Sequence, residues 1–574
     1  MDGFTKRAWF TAFWITLVFA GVIARVFWLQ IVRGDSYATE AIQQQKITQK
    51  LKARRGSILA HEKERSVPLA VTKNGWILGI DPRLIDNPKE LYVKLTDLGV
   101  TALSEEEFTR RASKKDDPYE IIEERVSRET KEKVENAQFP GVYFSPDEWR
   151  FYPAGDFASQ ILGFVDKDGI GKYGLEQFYH YDLLGENGVF EGEKTPGGRL
   201  LLFGDNLLRP QKDGVDIVLT IDTNVQILLE STLRKAYEKY GALRAGGIIL
   251  NPATGAILGM ATVPSFDPNQ YSDEKDISVF RNPNTESLFE MGSVVKPLTM
   301  AAALDTGAVT PHDTYYDAGR VTIDTEVIAN FDGKGRGQIP IQEILAQSLN
   351  TGAVHLMQKM GKDLFRQYMK TFGLGELTDI DLPNEVEGNI KNLESSRVVE
   401  YATASFGQGI AMTPIVLVRA LGSIANDGLL VNPYLVEETR YPNGARVQKR
   451  KSPPKRIISE ETALTVTRMM VEIVDRGLGN GTYRIPGYSV AAKTGTAQIA
   501  LSDGRGYSNE YLHTFVGYGP AYDAQFFVFL YLEQPHGARY ASETLSKPFH
   551  DIMQQLFSYF EIRPDRPHEL ESKL

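Results

Sequence analysis

The chain contains no cysteine in 574 residues. Disulfides, thiolate zinc sites and thiol nucleophiles are therefore excluded, a composition compatible with an envelope protein that must avoid stray disulfides. Histidine is scarce too: the eight present form no H-E-x-x-H zinc motif, and Pro567-His-Glu-Leu-Glu571 lacks the second histidine. Positive charge is not in excess. The formal net charge of −10 argues against a general nucleic-acid binder. Internal repeats and long low-complexity tracts are lacking as well. One stretch, Val165 to Glu176, briefly resembles a calcium loop, but its fifth and twelfth loop positions are Ile170 and Gln177, so it reads as a tight polar turn.

What is present is an ordinary globular composition, 42% hydrophobic and 24% charged, with length for two or three domains. Ala8 to Ala24 carries no charge, and apolar character resumes after Arg25 as Val-Phe-Trp-Leu-Gln-Ile-Val. This predicts an uncleaved anchor in the cytoplasmic membrane, crossed once, with Lys6 and Arg7 on the inner side and the rest of the chain extracytoplasmic. A signal peptide cleaved after Val22-Ile23-Ala24 is the alternative. Residues 1–33 are thus read as tail and anchor. Residues 34–214 are read as a first region of mixed α+β character that begins with an extended or helical stalk over 34–55. Its most charged stretch, 104–138, is expected to form solvated surface helices.

From Asp216 onward the pattern is that of one large domain, 215–562, followed by a tail, 563–574. Asp216 to Ile221 reads as a strand, Asn224 to Tyr240 as an amphipathic helix after the cap Asp222-Thr223, and Gly246 to Val263 as a hairpin about Asn-Pro-Ala-Thr-Gly. A mostly helical middle follows, over about 289–476. Late strands are expected at Ser489-Val-Ala-Ala-Lys-Thr-Gly-Thr-Ala497, His513 to Gly519 and Phe526 to Leu532, then a closing helix near 543–560. Two early strands, three late ones and helices between predict an α/β domain with an antiparallel sheet flanked by helices.

Three short motifs carry chemistry. Ser293-Val-Val-Lys296 is one of three S-x-x-K matches, with Ser272-Asp-Glu-Lys275 and Ser452-Pro-Pro-Lys455. Only the first opens an apolar helical run, with Pro297 where a helix tolerates proline and Gly307 as a stop. A hydroxyl and an amine three positions apart then share one helical turn. Alone, Ser293 reads more readily as an N-cap. Ser348-Leu-Asn350 and Lys493-Thr494-Gly495-Thr496 follow; each alone is weak, the one readable as a cap and the other as a strand edge.

In this order, S-x-x-K, S-x-N and K-T-G form the set found in penicillin-binding proteins and class A β-lactamases, and the chain resembles the class B penicillin-binding proteins. Arg150 to Val165 and Gly171 to Gly188 resemble that family's non-catalytic region, which implies a non-catalytic, dimerisation-type pedestal over 34–214, and Ser405 to Gly428 and Phe515 to Ala521 flank K-T-G as in the family. Met291 stands where many members have proline, and the stalk lacks their D-R-x-G.

The resemblance implies a penicillin-binding/β-lactamase-like fold and a membrane-anchored peptidoglycan D,D-transpeptidase. Its substrates would be stem peptides ending in D-Ala-D-Ala, its inhibitors β-lactams, and it would need no cofactor or metal. Within the family the cell-division (septal) branch is favoured by Ser405-Phe-Gly-Gln-Gly-Ile-Ala-Met-Thr-Pro414 and Arg484 to Gln498, with the elongation branch as alternative. Ser293 is implied as nucleophile and Lys296 as its base, needing a lowered pKa from burial and the cation of Lys493. Ser348 would shuttle the proton, and Asn350 would donate to Lys296 or the substrate amide. The N–H groups of Ser293 and Thr496 would form the oxyanion hole, and Thr494, Thr496 and Lys493 would hold the terminal carboxylate. Ala491, Ala492 and Gly495 would let the substrate backbone approach closely. Nothing resembles a glycosyltransferase, so a SEDS-family polymerase and cell-division scaffold proteins are implied partners. A β-lactamase, with Glu385 in an E-x-x-x-N spacing to Asn389 as deacylating base, and a D,D-carboxypeptidase are the rival enzymes.

Overall fold

The computed structural model describes residues 2–37, 46–100, 102–193, 207–449, 452–501 and 506–571. A helix over Gly3–Phe27 runs on to Val32 with its apolar side chains exposed. Its 25 residues rise about 37 Å at 1.5 Å each, enough for a hydrocarbon layer of about 30 Å. Thr11 and Thr16, the polar side chains in its middle, donate their hydroxyls to the carbonyls of Arg7 and Ala12, so they add no unpaired group to the apolar face.

The chain divides into two compact units, 1–54 with 184–214, and 55–183 with 215–574. In the first, strands Lys46–Leu51, Gly188–Glu193 and Leu207–Arg209 form an antiparallel sheet. The end of the expected stalk is thus a strand, while 38–45 lie outside the described residues. Residues 55–183, expected in one pedestal domain with 34–54, group instead with the catalytic portion.

Among the described residues the second unit holds two large sheets and four two-stranded ones. One joins, in order, Arg446–Gln448, Val436–Arg440, Asp216–Asp222, Ile58–Glu62, Arg65–Ile80 and Glu120–Val126, with Val142–Phe151 also paired to the long Arg65–Ile80 strand. The strand Asp216–Asp222, read from sequence as opening the catalytic domain, therefore lies in the pedestal sheet. It runs parallel to Ile58–Glu62 and antiparallel to Val436–Arg440.

The charged stretch 104–138 also differs from expectation. Helices Glu105–Ala112 and Arg128–Asn136 are present, but Glu120–Val126 between them is a strand. Ile122 and Val126 point into a small core with Leu78, Leu95, Phe108 and Val134. A buried ionic cluster ties three distant pedestal segments together: the Glu176 carboxylate accepts from Arg55 Nε (2.8 Å), Arg150 Nε (2.6 Å) and the Tyr152 hydroxyl (3.3 Å). The turn after Val165 is held by Asp166, whose carboxylate accepts from the N–H groups of Asp168 and Ile170.

The catalytic sheet is five-stranded and antiparallel throughout, in the order Ile257–Val263, Arg244–Leu250, Phe526–Glu533, Tyr507–Gly519, Ala491–Ala500. These are the two early and three late strands expected. The early hairpin turns on Asn251, whose side chain accepts from the N–H groups of Ala253 and Thr254. Helix Thr223–Tyr240, capped by Asp222, and closing helix Ala541–Tyr559 pack on the sheet, as does Glu460–Glu472 from the helical middle. Residues 563–571 are no free tail: Arg566 pairs with Asp475 at 2.9 Å, and Ser489 donates N–H and hydroxyl to Asp565.

Candidate active site

Ser293 sits on a single 3-10 turn, Gly292–Val295, that feeds the buried helix Lys296–Asp305, with Pro297 in its first turn. Its hydroxyl caps neither element, so the N-cap reading fails. Ser272 lies in an exposed 3-10 segment, Pro268–Asp273, and Ser452 in an exposed coil. The Ser293 turn is clamped from two sides. Gly292 has φ +64° and donates its N–H to Gly407 O (3.1 Å). On the other side the Thr514 hydroxyl, from the strand beside K-T-G, donates to Met291 O (3.0 Å).

Gly495 explains how close that packing is. A Cβ there would stand 2.3 Å from Thr514 Oγ1 and 2.8 Å from Met291 O. A small residue at 495 is thus required by the fit between the K-T-G strand and the Ser293 turn. Ala491 and Ala492 are likewise buried.

Lys296 is fully buried, and its ammonium donates to Ser348 O (2.6 Å), Ser348 Oγ (3.3 Å) and Asn350 Oδ1 (2.8 Å). Among the described residues no hydrogen bond joins it to Ser293. Lys493, 1% exposed, donates to Ser348 Oγ (2.9 Å) and Thr494 O (2.9 Å). Two buried lysine amines therefore converge on one hydroxyl. Burial, then the charge of Lys493, holds the Lys296 amine well below the usual lysine range; burial lowers Lys493 to about 7.

Ser348 occupies the turn between helices Gln342–Ala346 and Asn350–Met360, at φ +53°. Asn350 differs from expectation: its Oδ1 accepts from Lys296, and its Nδ2 donates to Ala329 O (3.0 Å), so it is an acceptor toward the lysine. Beneath it lies a network that no motif signalled. The buried Asp317 carboxylate accepts from Thr351 Oγ1 (2.8 Å), Asn330 Nδ2 and the N–H groups of Gly319 and Arg336. Asn330 Oδ1 in turn accepts from Thr351 N–H (3.2 Å). On the opposite wall Thr496 Oγ1 accepts from Ala541 N–H (3.0 Å), joining K-T-G to the closing helix.

Ser293, Ser348, Asn350, Lys493, Thr494 and Thr496 all line one open cleft of about 710 Å³. Gly495 and Lys296 support it from beneath. Sequence reasoning missed the remaining walls, chiefly Phe331, Arg336, Tyr511, Arg539 and Tyr540. The only signal for the last pair was their place directly before the closing helix. Glu385 is outside the cleft lining. Its carboxylate accepts from Thr378 N–H (2.7 Å), Thr378 Oγ1 (2.6 Å) and Asp379 N–H (3.1 Å), a loop-stabilising role.

The penicillin binding protein transpeptidase domain family matches residues 245–554, and the penicillin-binding protein dimerisation domain family matches 50–219. The chain belongs to the penicillin-binding proteins. Its relatives include stage V sporulation protein D of Bacillus subtilis, 33% identical over 99% of this chain and 88% of that one. A probable peptidoglycan D,D-transpeptidase, PenA, of Neisseria meningitidis is 29% identical over 96% of this chain and 92% of its own. The solved structure of penicillin binding protein 2X from Streptococcus thermophilus superposes with a TM-score of 0.75 at 22% identity, covering 89% of this chain and 80% of that one. In this penicillin-binding protein the dimerisation-type match ends at 219, inside the strand Asp216–Asp222 that completes the pedestal sheet.

Proposed function

We propose that the protein is a serine D,D-transpeptidase that cross-links peptidoglycan stem peptides through an acyl-enzyme on Ser293. The observation that carries this reading is the convergence of Lys296 and Lys493 on the Ser348 hydroxyl, in the same cleft as Ser293. A serine hydroxyl needs a positioned base. A lysine is a base only when neutral, and burial beside a second cation favours that form for Lys296.

In the forward step Ser293 Oγ bonds to the carbonyl carbon of the penultimate D-Ala, and its proton passes to Lys296. The tetrahedral oxyanion rests on the N–H groups of Ser293 and Thr496. The C–N bond then breaks, and terminal D-Ala leaves with a proton relayed through Ser348. The amine of a second stem peptide reverses these steps. Thr494, Thr496 and the charge of Lys493 hold the terminal carboxylate. A β-lactam enters the same path, and its acyl-enzyme persists because, among the described residues, no carboxylate lines the cleft to present water.

The apolar N-terminal helix supports a single membrane anchor, with the catalytic portion outside the cytoplasmic membrane. A SEDS-family polymerase and division scaffold proteins are the partners this reading implies. The septal branch is favoured by the segments around Ser405 and Lys493; the relative named for sporulation favours, as a second reading, the same chemistry deployed during spore formation. The test of the chemistry is intact-protein mass spectrometry after benzylpenicillin. The expected result is one penicilloyl group, mapped to Ser293 and stable for many minutes. An adduct on another residue, or one that clears within seconds, overturns the reading.

A further inference from the structure

Among the described residues the charges lining the cleft are all of one sign: Arg336, Lys493 and Arg539, with neither aspartate nor glutamate. Two of the three cations are occupied. Asp332 takes both terminal nitrogens of Arg336 at 2.9 Å. Lys493 lies deep, on Ser348 and Thr494, beside the proposed seat of the terminal carboxylate.

Arg539 differs from both. Its guanidinium lies 5.5 Å from the ring of Tyr540 and, among the described residues, meets no carboxylate. An exposed arginine is commonly no more than a solvated charge, but the backbone under this one is fixed on every side. Its N–H donates to the Glu543 carboxylate (2.9 Å), and its carbonyl is 3.2 Å from Nε2 of buried His513, whose other ring nitrogen is 3.0 Å from Thr544 Oγ1. Burial lowers His513 to about 4, so the ring is neutral at neutral pH. Tyr540 N–H shares Glu543 (2.8 Å), and the Tyr540 ring meets Phe331 edge-on across the cleft. Two residues on, Ala541 N–H is tied to Thr496 of K-T-G. The guanidinium is therefore held beside the strand that would carry the donor peptide, with its planar fork unspent.

We propose that Arg539 is a specificity residue that pairs with a second carboxylate of the donor stem peptide, one on a residue before D-Ala-D-Ala. The protein would accordingly favour stems whose diamino acid bears a free side-chain carboxylate over stems whose third residue is neutral or a free lysine. A free lysine ammonium would meet the guanidinium of Arg539 as a like charge. This rests on the transpeptidase reading and deepens it.

The test uses the full chain in detergent with three synthetic donors: meso-diaminopimelyl-D-Ala-D-Ala acetylated on both amines, its side-chain amide, and diacetyl-lysyl-D-Ala-D-Ala. All three carry the same terminal carboxylate, so only a second-carboxylate contact separates them. D-Ala release by wild type should favour the diacid about tenfold in kcat/KM, the size expected of one partly exposed charge-assisted pair. Arg539→Gln should bring the three donors within about twofold of one another, and Arg539→Lys should restore part of the preference. An equal loss on all three donors would place Arg539 on the terminal carboxylate, and an unchanged preference would leave it a solvated rim charge; either overturns the proposal. No release from any donor, together with no penicillin adduct on Ser293, would instead refute the transpeptidase reading.

Discussion

Gly495→Ala is the most direct test of how the Ser293 turn is held. On the observed backbone the added Cβ would meet Thr514 Oγ1 at 2.3 Å, Met291 O at 2.8 Å and Val294 Cγ1 at 3.1 Å, where ordinary contact begins at 3.4 Å. Thr514 has no room to turn away, since it is fully buried and its hydroxyl is spent on Met291 O. The strand and the Ser293 turn must therefore part by roughly half an ångström to one ångström. Overpacking of this kind costs about 1–3 kcal/mol, and a stretched hydrogen bond adds about 1 kcal/mol. Misplacing a reacting group by about 1 Å costs about 10²-fold in rate, so acylation by a fluorescent penicillin should slow roughly 10- to 100-fold. The urea midpoint should fall with it. Gly422→Ala is the matched control, a helix-interior glycine whose Cβ would meet nothing within 4 Å; it should gain about 0.5–1 kcal/mol. Wild-type acylation within twofold by Gly495→Ala would refute the steric argument outright.

Ser293→Ala should abolish penicillin labelling, while Ser272→Ala and Ser452→Ala label normally on a gel. Glu385→Gln should leave the lifetime of the penicilloyl-enzyme unchanged in a chase experiment while lowering thermal stability; trapping of a normally short-lived adduct would point to hydrolysis. Lys493 has a folded pKa of about 7 against about 10.4 unfolded, so between these values the unfolded chain binds more protons and stability rises with pH. Lys493→Met should show a shallower rise in unfolding free energy from pH 7 to 9.5, measured by urea titration. Glu176→Ala should cost about 3–5 kcal/mol, because it strands two buried arginines; a loss under 1 kcal/mol in the same titration would contradict that.

The catalytic sheet was legible because its strands are long apolar runs bounded by turn residues, such as Phe526–Glu533 and the hairpin around Asn251. Site membership was legible too, since three motifs with fixed spacing leave few partners for Ser293. Periodicity does not say which sheet an apolar run joins, so the place of Asp216–Asp222 in the pedestal sheet was not legible. In Glu120–Val126 the charges masked an inward pair, Ile122 and Val126. The direction of the Asn350 amide depends on Ala329 O, and the need for glycine at 495 on Thr514; both partners come from elsewhere in the chain and leave no local mark. The Arg539 wall is likewise set by contacts to His513, Glu543 and Thr496 rather than by a motif.

The sheet that pairs Ile58–Glu62 with Asp216–Asp222, and the latter with Val436–Arg440, bears on how the chain is made. Its first strands leave the ribosome long before the segment that covers their far edge, and at about 5–20 residues per second that wait is on the order of half a minute. During it, the edge of Asp216–Asp222 is open to any passing strand. A chain stopped before residue 436 should therefore need a holdase to stay soluble, and one released after residue 440 should not.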